Sequence, residues 1–364
     1  MLFPSVNLAF REMMCNFADM FATTLLEWFR KNGRDLPWRH TTDPYAIWLS
    51  EIILQQTRIQ QGWAYWERFM KRWPTVEALA AATEDEVLRE WQGLGYYSRA
   101  RNLHHAARQV VAQGGFPTTL EEIRKLKGVG DYTAAAIASF AFGHPAAVVD
   151  GNVYRVLSRY FGIDTPINTT EGKKTFSALA QDLLPITQHP SPNTSEYNQA
   201  IMDFGAIQCT PQSPDCAVCP LMETCEAFRS DRVGTLPVKL KTVKVKERHL
   251  IYIYVRCNGE TAIHRRGPGD IWQGLWEPVA PHPEQSSPSR SLPNLPLNGE
   301  AMNNVHCLKK NVKHVLTHQV LYADFYLLET TERPALPDDY IWIKESELDD
   351  YAKPRLIEIL LQEL

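Results

Sequence analysis

The pattern of hydrophobic positions changes once along the 364 residues. From Phe21 to about Phe228, apolar residues recur every three or four positions, which is the period of an amphipathic helix. The clearest helical segments are Tyr45–Phe69, Val87–Val111, Thr133–Phe142 and Val153–Phe161. After Arg229, runs of β-branched and aromatic residues at Leu250–Val255 and Val320–Leu328 indicate strands. The pattern predicts a multi-domain chain with an all-α domain followed by a smaller α+β domain.

This change in pattern sets the expected domain boundaries. We expect a poorly ordered N-terminal extension at 1–19, a helical domain at 20–230, a basic interdomain connector at 231–248 and the second domain at 249–364. The Pro/Ser-rich stretch Pro281–Pro296 predicts a loop or a disordered insertion. The chain has no uninterrupted apolar run of the ~18 residues that a membrane span needs. We therefore expect a cytoplasmic protein with no membrane partner.

Four of the seven cysteines lie in one short run with the spacing C-x6-C-x2-C-x5-C. Their residues are Cys209, Cys216, Cys219 and Cys225. The other three cysteines are scattered, which argues against a disulfide framework and for a reducing compartment. Thiolates suit zinc or an iron-sulfur cluster, and zinc modules usually pair two C-x2-C knuckles where this chain has one. We therefore predict a 4Fe-4S cluster on the loop 209–225, with a redox or a purely structural role.

A glycine-rich turn lies between two helical patterns in the first domain. Gly128 and Gly130 stand in Leu126–Thr133, where they allow a close approach of the backbone to a ligand. The helix that follows offers unpaired N–H groups to a phosphate. This layout is that of a helix-hairpin-helix, which binds the DNA backbone without reading sequence, although a plain packing corner also accepts glycines. Because the net charge is −4, DNA binding must come from local placement of charge.

Two acids are candidates for catalysis. Glu51 lies in the strongly apolar helical stretch Ile47–Thr57, where a charge needs a reason, and Asp150 stands among valines at the start of a new helix. The alternatives are a solvated helix face for Glu51 and a helix N-cap for Asp150. One carboxyl with a raised pKa and one ionised carboxylate are the groups that cleave a glycosidic bond through an oxocarbenium-like transition state.

Taken together, these motifs resemble a known family. The chain is similar to the MutY-type adenine DNA glycosylases of the endonuclease III superfamily. The segments that carry the similarity are Leu36–Arg39, Ser50-Glu51 with Leu54–Thr57, the run Gly93–Arg101, the glycine hairpin, Asp150–Asn152 and the cysteine loop. The resemblance covers roughly Phe21 to Phe228. It implies two helical lobes with a cleft between them, and removal of adenine mispaired with 8-oxoguanine or guanine in double-stranded DNA. It also implies a monomer in the bacterial nucleoid.

The resemblance assigns catalytic roles to four residues. Glu51 matches the proton donor to adenine N7, and Asp150 matches the carboxylate that stabilises or traps the sugar cation. Asn152 resembles the partner that orients Asp150. Tyr132 occupies the hairpin position where strand-cleaving relatives carry a lysine, and because a Schiff base needs an amine, little or no lyase activity is expected. Lys127 is the nearby amine that leaves this point open.

The resemblance also implies contacts with DNA and with the extruded base. Gln56 and Tyr96 match residues that insert beside the lesion. The expected lining of the adenine pocket is Arg34, Trp38, Arg39, Leu54 and Gln199. Without the resemblance, Trp38 and Leu54 would be assigned to the core.

The second domain resembles the Nudix-type recognition domain of the same family. Its similar segments are Ile263–Arg266 and Trp272–Pro278, and no glutamate-rich metal box follows them, so we expect binding and no hydrolysis. The lesion-reading triplet, usually Phe-Ser-His, is Leu316-Thr317-His318 here, which keeps a hydroxyl and His318 but loses the aromatic ring. The nearby basic residues Lys309, Lys310 and Lys313 form a solvated face or contact phosphate.

Two other functions remain as alternatives. An endonuclease III-like enzyme for oxidised pyrimidines would share the fold, but Tyr132 and the second domain argue against it. An iron-sulfur protein that only binds DNA would require Glu51 or Asp150 to be idle.

Overall fold

A computed structural model gives the structure of residues 8–184, 194–240, 245–280 and 304–364, with side chains described from Ala18 onward. The predicted insertion Pro281–Pro296 and residues 1–7 of the predicted N-terminal extension lie outside this part of the chain. Contacts divide the chain into two compact units, residues 1–66 with 108–241, and residues 67–107 with 242–364. None of the helices in the described ranges is long and apolar enough to cross a membrane.

Helices build the described residues between Leu8 and Arg229, and from Phe21 onward this agrees with the sequence pattern. They are α1 (Leu8–Asn32), α2 (Pro44–Ile53), α3 (Ile59–Arg72), α4 (Val76–Ala81), α5 (Glu84–Trp91), α6 (Ser98–Ala112), α7 (Leu120–Ile123), α8 (Asp131–Phe142), α9 (Gly151–Phe161), α10 (Thr170–Asp182), α11 (Thr194–Asp203) and α12 (Glu226–Arg229). Short 3₁₀ turns at Pro37–Arg39 and Met222–Thr224 and a π-helical turn at Phe204–Gln208 complete this part. The predicted segments Tyr45–Phe69 and Val87–Val111 are each broken into two helices, by residues 54–58 and 92–97. Helix α1 begins inside the segment predicted as a poorly ordered extension.

The core of the first unit fixes the helices that later carry the site. Helices α1, α9, α10 and α11 bury a shared cluster that includes Phe21, Leu25, Leu157, Phe176 and Phe204. Burying each such side chain contributes about 1.5–3 kcal/mol. The start of α9 and the end of α11 are therefore held by well-packed elements and not by mobile loops.

A mixed six-stranded sheet forms the C-terminal part, which confirms the predicted change of fold class. Its strands are β1 (Lys246–Cys257), β2 (Glu260–Arg265), β3 (Trp276–Glu277), β4 (Val305–Val315), β5 (Gln319–Thr330) and β6 (Tyr340–Lys344), in the order β3-β2-β1-β5-β4 with β6 paired to β2. Strands β1 and β5 are parallel over their whole length, and the other pairs are antiparallel. A 3₁₀ turn (Glu345–Asp350) and α13 (Arg355–Leu361) end the chain.

Both faces of this sheet are covered, which explains the continuous apolar run of β1. Tyr252 and Tyr254 pack with Leu356 and Leu360 of α13, while Ile253 points into a second cluster on the opposite face. A strand that is buried on both faces reads as an unbroken hydrophobic run and not as an alternation. Because β1 begins at Lys246, the last residues of the predicted connector 231–248 are already part of the sheet.

Candidate active site

Glu51 lies on α2 and faces a pocket of about 450 Å³ in the first unit. Helix α2 is apolar on most sides, so packing carries the carboxyl group inside, and only 7% of Glu51 is exposed. The hydroxyl of Tyr132, at the start of α8, donates a 2.6 Å hydrogen bond to Glu51 Oε2. The pKa of Glu51 is raised to about 7, chiefly by burial and further by the charge of Asp150, while the Tyr132 hydrogen bond and the charge of Arg39 oppose the rise. Glu51 can therefore hold a proton close to neutral pH.

Asp150 lines the same pocket and is also the N-cap of α9. Its carboxylate accepts hydrogen bonds from the backbone N–H groups of Asn152 and Val153, both at 2.8 Å, and from Asn152 Nδ2 at 2.7 Å. Burial raises the pKa of Asp150 above its ordinary value, and these three donors and the charge of Arg155 oppose that shift. Since hydrogen bonds to a carboxylate and a helix N-terminus favour the charged form, Asp150 is the better anion of the two acids. Asp150 is therefore both the N-cap of α9 and a candidate catalytic carboxylate.

The orientation of Asn152 is fixed by Arg155 of α9. Arg155 Nη2 donates to Asn152 Oδ1 at 2.8 Å and to the carbonyl of Gly205 at 2.6 Å, while its Nε donates to the carbonyl of Cys209 at 2.7 Å. The amide oxygen of Asn152 is thus taken, so its NH₂ group must face Asp150. Gly205 packs so closely that an added Cβ would lie 2.6 Å from Asn152 Cβ.

The predicted pocket residues are brought together. Arg34, Trp38, Arg39, Leu54, Tyr132, Asn152 and Gln199 all line the pocket with the two acids. Trp38 is nearly buried and contacts Trp63 and Trp66 edge to face, so it is both core and pocket wall. Gln199 donates to Ser195 Oγ at 3.0 Å.

The other predicted contacts lie outside this pocket. Gln56 is exposed just after α2 with a positive φ of 57°. Gly128 and Gly130 are exposed in the turn before α8, and the φ of 77° at Gly128 requires glycine. In the second unit, Tyr96 is 43% exposed and its hydroxyl shares a hydrogen bond with Thr317 Oγ1. Thr317 and His318 are exposed in the tight turn between β4 and β5, where the His318 carbonyl accepts from the Lys246 N–H at 3.1 Å.

The four cysteines of the loop line a single cavity in the first unit. Arg159 of α9 reaches the same cavity, where its Nη1 lies 3.4 Å from Cys209 Sγ and 2.7 Å from the carbonyl of Thr210. Within the described residues, no group of three or more His, Cys, Asp or Glu side chains is arranged around a point that would hold one metal ion.

Sequence reasoning missed Asp203, Arg155 and Arg159. Asp203 ends α11 with a fully buried carboxylate that binds Arg34 and Arg39, and the two other arginines bind backbone carbonyls of the cysteine loop. An acid inside the apolar run Ile201–Phe204 is the one sign of Asp203 in the sequence. Nothing in the local pattern of α9 distinguishes Arg155 and Arg159 from surface arginines.

Comparison with protein families defines the class. The model of the HhH-GPD superfamily of base excision DNA repair proteins matches residues 49–182, and that of the NUDIX domain matches residues 251–363. A solved thermostable thymine-DNA glycosylase superposes with a TM-score of 0.53 at 33% identity, covering 58% of this chain and 97% of its own. A solved endonuclease III in a trapped covalent complex with DNA, with a TM-score of 0.50 and 23% identity over 60% of this chain and 98% of its own, shares the fold.

Curated relatives narrow the class. The adenine DNA glycosylase of Buchnera aphidicola from Schizaphis graminum is 33% identical over 71% of this chain and 74% of its own length, and that from Baizongia pistaciae is 32% identical over 84% and 85%. The human adenine DNA glycosylase is 43% identical over 57% of this chain but only 39% of its own length. The chain therefore belongs to the adenine DNA glycosylase family and is an enzyme of base-excision DNA repair.

Replacing Gly205 should damage the site without changing any polar group. We expect Gly205→Ala to lower the single-turnover rate of adenine excision about 100-fold, because its Cβ must displace Asn152 and with it Asp150. Gly234→Ala is the matched control, since an added Cβ there meets nothing within 4 Å. A Gly205→Ala rate equal to that of the parent would contradict this account of how Asn152 is positioned.

The raised pKa of Glu51 also predicts a pH-dependent gain in stability on its removal. Below the ordinary carboxyl pKa of 4.5, Glu51 is neutral folded and unfolded, so Glu51→Gln and parent should be equally stable. As pH rises from 4.5 through about 7, the parent alone loses up to about 3 kcal/mol, because its unfolded state releases the proton first. Thermal melts of Glu51→Gln and the parent, recorded from below pH 4.5 to about pH 8, measure the difference in their stability.

Glu27→Gln, at an exposed position of α1, is the control and should follow the parent at every pH. A Glu51→Gln variant that is no more stable than the parent at alkaline pH would show that the pKa of Glu51 is not raised by burial.

Proposed function

We propose that the protein removes adenine mispaired with 8-oxoguanine, or with guanine, from double-stranded DNA by hydrolysis of the N-glycosidic bond, without cleaving the strand. The observation that carries this proposal is the pair of unlike carboxyl groups in one pocket, Glu51 with a pKa raised to about 7 and Asp150 with three donors on its oxygens. A pocket of this size can hold one extruded base with its sugar.

The two acids divide the reaction. Protonated Glu51 donates to adenine N7, so the base leaves as a neutral molecule and not as an anion. The departing base leaves positive charge on the sugar, and the carboxylate of Asp150 stabilises that charge, while Asn152 keeps the carboxylate in place. Tyr132 holds the Glu51 carboxyl by its hydroxyl and has no amine to form a Schiff base. Lys127 is exposed and does not line the pocket, which supports a monofunctional enzyme.

The cysteine loop fits an iron-sulfur cluster better than a zinc ion. Zinc would need four thiolates at about 2.3 Å from one point, whereas a 4Fe-4S cluster binds one thiolate at each of its irons and so needs ligands spread around a larger volume. Cys209, Cys216, Cys219 and Cys225 line one cavity, so the four thiolates that such a cluster needs surround a common space. When bound, the cluster would supply folding energy to a proline-rich loop that lacks an apolar core of its own.

The second unit would supply recognition of the opposite base. Tyr96 and Thr317 share a hydrogen bond at an exposed position, so a ring and a hydroxyl lie together at the surface, which supports contact with a mispair. The buried Glu277 of β3 is already engaged by Arg266 and by His264 Nε2 at 3.1 Å, which supports a unit that binds DNA and does not carry out metal-dependent hydrolysis. Gln56 and Tyr96 are the proposed wedges. We assign the enzyme to the DNA of the cytoplasmic nucleoid as a monomer.

The decisive test is excision from a duplex with one adenine opposite 8-oxoguanine. We expect strand breaks only after alkali treatment, because a monofunctional enzyme leaves an intact strand with an abasic site. Glu51→Gln should lose excision and keep duplex binding, since a carboxamide has no acidic proton to transfer to the base. Strand breaks without alkali would reveal a nucleophile that attacks the sugar in addition to these groups. Excision by Glu51→Gln would show that Glu51 is not the acid of the reaction.

The Tyr96–Thr317 pair predicts a loss of discrimination. We expect Thr317→Ala to narrow the preference for 8-oxoguanine over guanine opposite the adenine by about two- to tenfold, the worth of one hydrogen bond. Single-turnover rates on the two duplexes give the ratio, with Thr331→Ala, another exposed threonine of the same unit, as the control. An unchanged ratio in Thr317→Ala would assign lesion recognition to other residues.

A further inference from the structure

One fully buried carboxylate holds two arginines of the pocket. Asp203 has no exposed surface. Arg34 donates to it from its backbone N–H and from Nε, both at 2.9 Å, and from Nη2. Arg39 donates from Nη1 at 2.9 Å and from Nη2 at 2.8 Å. Five donors on two oxygens leave the Asp203 carboxylate little freedom, and the three groups together carry one net positive charge.

Asp203 cannot contact a bound base directly. Its neighbours Met202 and Ala206 line the pocket and Asp203 does not, whereas Arg34 and Arg39 line it together with Glu51. Arg39 is further fixed by a 2.7 Å hydrogen bond from Nη1 to the Arg34 carbonyl and by its guanidinium, which lies 5.4 Å from the centre of the Phe29 ring. Any effect of Asp203 on the reaction therefore passes through the two arginines.

We propose that Asp203 is a positioning residue for base excision, which orients Arg34 and Arg39 in the pocket and limits how much of the Arg39 charge acts on Glu51. This inference rests on the proposed function, because it assigns Glu51 the role of acid. It goes beyond that function in naming a residue outside the pocket that controls the strength of the acid within it.

The expected effect of Asp203 on the pKa of Glu51 follows from the charged and titratable groups that face Glu51. These groups are Tyr132 from α8, Asp150 before α9 and Arg39 from the turn Pro37–Arg39. The Arg39 cation lowers the pKa of Glu51, and the anion of Asp203 beside Arg39 offsets part of that effect. Loss of the Asp203 charge should therefore lower the pKa of Glu51, and loss of the Arg39 charge should raise it.

The test is the pH profile of single-turnover excision by the full-length protein, on a duplex with adenine opposite 8-oxoguanine, from about pH 5.5 to 9. We expect Asp203→Asn to be about 100-fold slower than the parent, because both arginines lose their anchor, and its alkaline limb to lie at lower pH. Asp164→Asn is the matched control: it breaks an exposed 3.2 Å ion pair with Arg232 and should keep the parent's rate and limb.

Two further variants separate positioning from folding. Arg39→Gln should move the alkaline limb to higher pH, and adding Asp203→Asn to Arg39→Gln should not move it back, because Asp203 acts on Glu51 through Arg39. A parent-like rate for Asp203→Asn, or a slower rate with an unmoved limb, would overturn the proposal. If Asp203→Asn does not fold, as judged by circular dichroism, an Arg39→Gln limb that is unmoved or lower overturns it instead. An inactive parent would refute the proposed function and not this inference alone.

Discussion

The burial of two carboxyl groups in one pocket is the constraint on which the rest of the catalytic unit depends. Removing an ion from water costs several kcal/mol, and two like charges add to that cost. The molecule resolves the conflict unequally. Asp150 receives three N–H donors at a helix N-terminus, whereas Glu51 receives one hydroxyl, from Tyr132. With its pKa raised to about 7, Glu51 keeps its proton well above the ordinary carboxyl range. The arrangement lowers stability above about pH 4.5, and it brings an acid and an anion into one pocket.

Arginines that bind carbonyl and carboxylate oxygens connect this pocket to its surroundings. Arg155 joins Asn152 to the carbonyls of Gly205 and Cys209, and one turn later Arg159 binds the carbonyls of Thr210, Pro211 and Leu236. The cysteine loop is thus attached to α9 by directional hydrogen bonds in addition to the apolar packing of Leu221 in the shared core. Since the same helix begins at Asp150, a shift of the loop would be transmitted to the carboxylate through Arg155 and Asn152. The position of the cysteine loop and the position of the Asp150 carboxylate are therefore coupled.

The sequence predicted the parts of the molecule that local pattern controls. The 3.6-residue period predicted the helices. The unusual position of Glu51 in an apolar helix indicated a candidate catalytic residue before any of its contacts was known. The break at 92–97 was missed because Leu94 and Tyr97 continue the hydrophobic period through it, and the break at 54–58 was missed although Gln55–Arg58 are all polar. Asp203 and Arg155 were missed for another reason: Asp203 binds Arg34, 169 residues away along the chain, and Arg155 links Asn152 to the Gly205 carbonyl, 50 residues away. A single sequence carries no record of which distant donor meets a buried acceptor, so such residues become visible only in the fold.

The two residues proposed to enter the DNA stack share a backbone feature that folding alone does not explain. Gln56 and Tyr96 have positive φ values of 57° and 46°, in a region that costs a residue with a side chain about 1–3 kcal/mol. At Tyr96 the surrounding loop maintains the strain: Trp91 Nε1 binds the Gly95 carbonyl at 2.9 Å, and the Arg99 guanidinium lies 5.6 Å from the Tyr96 ring centre. Both side chains are nevertheless exposed, so the strain is not offset by burial of the residue that bears it. Because the loop holds Tyr96 in this way, its ring loses little further entropy when it inserts beside a base, which is the property that a wedge requires.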